Sequence, residues 1–161
     1  MKITFIQTGG TIDKEYPRGF NVYAFEITEP ATKRIIEYVQ PNFEYELVRC
    51  LQKDSTDLTD EDREIIRKAC EATSNDKIIL THGTDTMHKT ASVLTGIKGK
   101  TIVITGAARP ESVRDSDSSF NVGTAVAGVS FLPYGVYIAM SGRVYKWDKC
   151  KKIATGQFVD A

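Results

Sequence analysis

Two rhythms alternate along the chain: short runs of consecutive apolar residues, and longer stretches where apolar residues return every three or four positions. The first run, residues 2–7, reads as a strand that the Gly9-Gly10 pair ends. Residues 13–25 are polar and hold Pro17 and Gly19, the marks of a surface loop or small hairpin. Thr28-Glu29-Pro30 predicts a helix start, with Thr28 as cap, Pro30 in the first turn, and Ile35, Ile36, Tyr38 and Val39 as the apolar stripe. A second strand covers residues 43–51. Thr59 followed by Asp60, Glu61 and Asp62 opens the next helix, because a hydroxyl caps free N–H groups and acids suit the positive helix end. Ile65, Ile66, Ala69 and Cys70 form its stripe.

The unit then repeats. Residues 77–80 are a third strand, followed by a helix with Met87, Ala91 and Leu94 on one face. Residues 101–105 are the fourth, and Val122, Ala125, Val126 and Val129 stripe the helix after it. Residues 135–140 close the series as a fifth strand. Strands apolar at consecutive rather than alternate positions need cover on both faces. The pattern therefore predicts an α/β fold with a parallel sheet between two helical layers.

Composition changes this picture little. The 161 residues fit one domain, 1–161, and 41% hydrophobic content is enough for a single core. Basic and acidic residues balance at 21 each, which argues against nucleic acid as a partner and, with the apolar content, against disorder. The apolar run at residues 3–6 is too short for a secretion signal, and no stretch nears the ~20 apolar residues of a membrane helix. Cys50, Cys70 and Cys150 form no Cys-x-x-Cys pair, so reduced thiols are expected, in a soluble cytoplasmic protein with no membrane partner.

In an open α/β sheet, ligands bind beyond the carboxyl ends of the strands. Those positions carry Thr8-Gly9-Gly10-Thr11, Lys53-Asp54-Ser55-Thr56, Thr81-His82-Gly83-Thr84-Asp85-Thr86, Gly106-Ala107-Ala108-Arg109-Pro110 and Ser141-Gly142-Arg143. Hydroxyls and small residues dominate, with no metal-ligand cluster, no cofactor motif and no cysteine nucleophile, so a hydroxyl nucleophile is what the set offers. Each feature also has a bland explanation. Gly9-Gly10 could be a tight turn or a phosphate nest, although it lacks the lysine of a Walker loop and the third glycine of a dinucleotide loop. Thr84-Asp85 alone reads as a helix cap, and His82 and His88 as structural. Tyr145 and Trp147 suit a half-buried or edge strand, and the Lys-rich run 146–152 a solvated face.

Together the motifs say more. Thr-Gly-Gly-Thr-Ile at 8–12, His-Gly-Thr-Asp-Thr-Met at 82–87 and Gly-Ala-Ala-Arg-Pro at 106–110 follow successive strands. The set resembles the bacterial-type L-asparaginase/glutaminase family, in its larger N-terminal domain, from Met1 to about Phe158. The resemblance implies a Rossmann-like or flavodoxin-like three-layer fold and hydrolysis of the side-chain amide of L-asparagine, and to some extent of L-glutamine. It matches Thr11 to the nucleophile and Thr84 and Asp85 to the second threonine and its aspartate. Lys152 matches the catalytic lysine, with Phe158 six residues on and Lys151 as the fallback. Ser55, with Thr56 beside it, takes the α-carboxylate, Asp85 the α-ammonium, and the Ala107 carbonyl the amide; the lid tyrosine is Tyr23 or Tyr16. The turns at Gly10 and Gly83 are expected to present N–H donors to the developing oxyanion.

Members of the family carry a second, smaller domain that adds a carboxylate to a neighbouring subunit's site, and this sequence stops at Ala161, where the first domain would end. Losing one charge-assisted contact weakens binding by about one to two orders of magnitude, so affinity near the millimolar range and a shielding homodimer are expected. Two alternatives stand beside the enzyme: a non-catalytic amino-acid-binding module, and a subunit that completes its site with a partner chain.

Overall fold

The computed structural model describes residues 1–17 and 24–161. In chain order its strands and helices are β1 (Lys2–Gly9), β2 (Lys14–Glu15), β3 (Glu26–Ile27), α1 (Ala31–Val39), β4 (Glu44–Lys53), α2 (Asp60–Ala72) and β5 (Lys77–Thr81). They continue with α3 (Met87–Leu94), β6 (Thr101–Thr105), α4 (Ser118–Phe131), β7 (Gly135–Met140), β8 (Arg143–Lys146), β9 (Cys150–Lys152) and β10 (Phe158–Asp160). One six-stranded sheet runs β4-β1-β5-β6-β7-β8, all parallel except β8, which pairs antiparallel with β7.

Successive side chains of a strand face opposite sides, and the central strands use both. Ile78, Leu80, Ile102, Ile104 and Ile138 pack with Ile66 and Cys70 of α2 and with Met87, Ala91 and Leu94 of α3. Ile3, Phe5, Ile79, Val103 and Ala139 point the other way, onto Ile35 and Ile36 of α1 and Val122, Ala125 and Val129 of α4. This two-sided burial is why the strands read as unbroken apolar runs, and it gives the three-layer α/β arrangement that the pattern predicts. The Thr59 capping box also forms: Thr59 Oγ1 accepts the Asp62 N–H at 3.2 Å while the Asp62 carboxylate accepts the Thr59 N–H at 2.9 Å.

Several expectations fail, each for a local reason. Thr28 does not cap α1; Pro30 holds the cap position, and the Asp13 carboxylate accepts the Ala31 N–H from eighteen residues upstream at 2.7 Å. Tyr38 and Val39 lie on the exposed last turn of α1, and Ile65 faces solvent on α2, so those stripes are narrower than the spacing suggests. Thr84 and Asp85 cap nothing, since α3 begins at Met87 with Thr86 before it. The sheet gains a sixth, antiparallel edge strand, and a hairpin of β9 and β10 follows it. The loop or small hairpin expected at residues 13–25 is bounded by a short antiparallel strand pair that reaches past it, with Lys14 opposite Ile27 and Glu15 opposite Glu26, while residues 18–23 lie outside the described residues.

Candidate active site

The carboxyl ends of β1, β4 and β5 meet at a point where no side chain fits. Gly10 has φ +88°, and a Cβ on it would lie 2.3 Å from the Gly83 nitrogen. A Cβ on Gly83 would in turn lie 2.6 Å from Ser55 Oγ. Gly9, at φ +111°, is held the same way against the Lys53 backbone, whose carbonyl accepts the Gly10 N–H at 3.0 Å. Glycine is thus required at this junction both by backbone conformation and by close approach. The contact brings Thr11 and Thr84, each one residue beyond its glycine, to the same end of the sheet.

Thr11 starts a single turn of 3-10 helix, Thr11–Asp13, and is half-buried. Lys152 Nζ, at the end of β9, donates to Thr84 Oγ1 at 2.8 Å and to Asp85 Oδ1 at 2.5 Å. The lysine is partly buried and Asp85 more than half exposed, so the pair borders solvent. Lys152 therefore leaves the solvated face expected of residues 146–152, whereas Lys151 is exposed and stands in no such contact. Pairing with β10, where Phe158 lies opposite Lys152, fixes this end of β9.

The other expected residues divide. Ser55 lies at 1% exposure beneath Gly83, its Oγ buried without a partner among the described residues, while Thr56 next to it is exposed. Ala107 is buried at the end of β6, in a loop pinned on both sides: Asn121 Nδ2 donates to the Gly106 carbonyl, and the Asp117 carboxylate accepts the Ala108 and Arg109 N–H groups at 3.0 Å. Tyr16 stacks edge-on against Phe25 at 5.7 Å, and Tyr23 lies outside the described residues. One expectation changes. The Gly10 N–H is taken up by the Lys53 carbonyl, so any donor of that turn is one of its other N–H groups.

Neighbouring groups set the electrostatics. Burial pushes the His82 imidazole down to about 4, so it is neutral at ordinary pH; its ring nitrogens bond the Gly83 carbonyl and Thr90 Oγ1, both at 2.7 Å. His88 Nε2 bonds the Cys150 carbonyl at 2.8 Å, and burial raises the Cys150 thiol to about 11. Neither histidine approaches the lysine-threonine cluster by these bonds. No group of three or more His, Cys, Asp or Glu able to hold a metal occurs among the described residues.

Sequence reasoning missed the residues that tie the loops together. Lys14 Nζ pairs with Asp54 at 2.7 Å, joining the segment after Thr11 to the Ser55 loop. Thr86 Oγ1 donates to the Ser55 carbonyl at 2.8 Å, with Arg63 behind it. Only Asn121 carried a signal, as an amide within the apolar face of α4.

Known proteins resemble this chain in sequence and fold. A family described as "Asparaginase, N-terminal" matches residues 2–160. The chain is 32% identical over 154 residues to a probable periplasmic L-asparaginase of Haemophilus influenzae, covering 88% of this chain and 43% of that protein. Over 69 residues it is 38% identical to a glutamyl-tRNA(Gln) amidotransferase subunit of Methanococcus vannielii, which is 42% of this chain and 16% of that protein. The thermostable L-asparaginase of Thermococcus kodakarensis superposes with a TM-score of 0.81 at 25% identity, over 99% of this chain and 51% of that one. A probable cytoplasmic L-asparaginase of Campylobacter jejuni gives 0.79 at 26% identity, over 99% and 52%. The chain spans about half the length of these solved asparaginases, and less of the curated relatives. Matched almost from end to end by the N-terminal family pattern and sharing its fold, the chain belongs to the asparaginase family.

Proposed function

We propose that the chain is an amidohydrolase that cleaves the side-chain amide of L-asparagine, and to some extent of L-glutamine, with Thr11 as nucleophile. The observation that carries this reading is the placement of Lys152 Nζ between the Thr84 hydroxyl and the Asp85 carboxylate, since a structural loop needs no such hydroxyl–amine–carboxylate line. Thr11 Oγ1 attacks the amide carbon, its proton passes toward the lysine, and the carbonyl oxygen takes the negative charge beside the Gly83 turn. Collapse breaks the C–N bond and releases ammonia, which gains a proton as it leaves. Water, positioned by Thr84, then hydrolyses the Thr11 ester to give aspartate. In this reading Asp85 also receives the substrate ammonium, Ser55 and Thr56 hold the α-carboxylate, and the Ala107 carbonyl accepts from the amide.

Ammonia release from asparagine, glutamine and unrelated amides tests it. Wild type should act on the first, weakly on the second and not on the rest, and Thr11→Ala should lose the activity by several orders of magnitude while staying folded. Wild-type rates in Thr11→Ala would sink the assignment. A twofold homodimer is the proposed assembly, the commonest solution for soluble homo-oligomers. The cytoplasm is the proposed compartment, supported by three free cysteines. A second reading, a subunit that completes its site with another polypeptide, is favoured by the likeness to an amidotransferase subunit. Ammonia release that appears only with a co-purified partner would select it.

A further inference from the structure

Asp13 is the most deeply buried carboxylate among the described residues and has no part in the reaction above; its side chain is at 0% exposure two residues beyond Thr11. Three elements converge on it. Its Oδ1 accepts the Ala31 N–H at the start of α1, its Oδ2 faces Thr81 Oγ1 at 3.5 Å at the end of β5, and its carbonyl accepts the Thr28 N–H at 3.1 Å beside β3. Its own N–H closes the Thr11 turn onto the Gly10 carbonyl at 3.2 Å. The charged group acting on it is Arg34 of α1, which also pairs with Glu15 at 3.7 Å and with Glu111; Gln7 of β1 and Thr81 of β5 are its uncharged neighbours.

We infer that Asp13 is a positioning residue: its carboxyl group, bound to the head of α1 and set against the end of β5, fixes the turn that presents Thr11 to Thr84 and Lys152. An oxygen acceptor at a helix N-terminus satisfies a free N–H group and ties the two segments together. The helix gains its cap from the turn, and the turn gains an anchor in the helix. Thr28, the residue whose type suits the cap, is thereby released to donate to Glu15 at 3.3 Å. Burial raises the Asp13 carboxyl to about 6, so the closed turn holds its proton more tightly than an opened one and acid strengthens the anchor within the range of an ordinary assay.

The inference rests on Thr11 as nucleophile, so the test has one arm that needs no activity. With asparagine as substrate at pH 7, Asp13→Ala, which removes the acceptor, should lower kcat for ammonia release about tenfold with KM little changed. Asp13→Asn keeps an acceptor but not the charge. It should recover most of the wild-type kcat. In amide hydrogen exchange, protection at Ala31 and residues 10–14 should rise between pH 7 and pH 5 in wild type and stay constant in Asp13→Asn. An Asp13→Ala enzyme with wild-type kcat, or a wild type whose protection at these amides ignores pH, overturns the assignment. If wild type releases no ammonia from any amide, the proposed function fails, and the exchange measurement alone decides the role of Asp13.

Discussion

Replacing Gly10 by alanine tests whether the site depends on backbone-to-backbone contact between β1 and β5. Gly10 combines φ +88° with ψ −177°, a region open almost only to glycine, and holding another residue there costs on the order of 1–3 kcal/mol. The added Cβ would also lie 2.3 Å from the Gly83 nitrogen, 2.4 Å from its Cα and 2.8 Å from the His82 carbonyl carbon. All three are backbone atoms, so no rotamer relieves the clash and the two strand ends must separate; overpacking of this kind costs roughly 1–3 kcal/mol more. Together these give about 2–6 kcal/mol, or a fall in Tm of roughly 5–20 °C for a chain of this size. Separation near 1 Å would also move Thr11 away from Thr84, and misplacement on that scale costs about a hundredfold in rate. Gly96→Ala is the control: φ there is +93° with nothing within 4 Å of the new Cβ, so it carries the conformational cost without the clash. Thermal melting and ammonia release are the assays. If Gly10→Ala melts with Gly96→Ala and keeps wild-type activity, the contact with Gly83 does not organise the site.

Lys152→Ala and Asp85→Ala should each abolish ammonia release and be far from additive when combined, because groups that act as one unit fail as one; an active Lys152→Ala beside a dead Lys151→Ala would shift the role to Lys151. Ser55→Ala removes a buried hydroxyl without a partner among the described residues, so the fold should be as stable or more so by about 1 kcal/mol, while KM rises about ten- to a hundredfold if the hydroxyl holds a carboxylate; unchanged KM removes Ser55 from substrate binding. For stability against pH, the folded Asp13 carboxyl holds its proton up to about 6 rather than 3.8, so its favourable contribution is complete below 3.8 and is lost as pH rises through 6. Denaturant titrations of wild type and Asp13→Asn should therefore diverge from pH 4 to pH 7, the variant gaining up to about 3 kcal/mol less what its weaker bond to Ala31 costs; curves that stay parallel would contradict a buried, titrating Asp13.

The alternation of apolar runs and amphipathic stretches determined the three-layer fold, because strands buried on two faces and helices buried on one leave different periods in the chain. Ile78, Ile79 and Leu80 had to lie inside wherever the strand was placed. The Thr59 cap was equally legible, since donor and acceptor lie three residues apart. The motifs at 8–12 and 82–87 marked the strand ends that carry hydroxyls, and placed Thr11, Thr84 and Asp85 among the candidates. What no local pattern carried was any contact between distant segments. That Lys152 rather than Lys151 reaches Thr84 and Asp85 depends on the pairing of β9 with β10, and the Lys146–Lys152 run by itself reads as solvent-facing. The cap of α1 passed from Thr28 to Asp13 because a segment brought close by folding competes with the residue next door, and spacing along the sequence is blind to it. Gly10, Gly83 and Ser55 are each unremarkable as residues in turns. Only when β4, β1 and β5 are laid side by side does the space between them shrink until a Cβ no longer fits, and that closeness decides where the hydroxyls of the site stand.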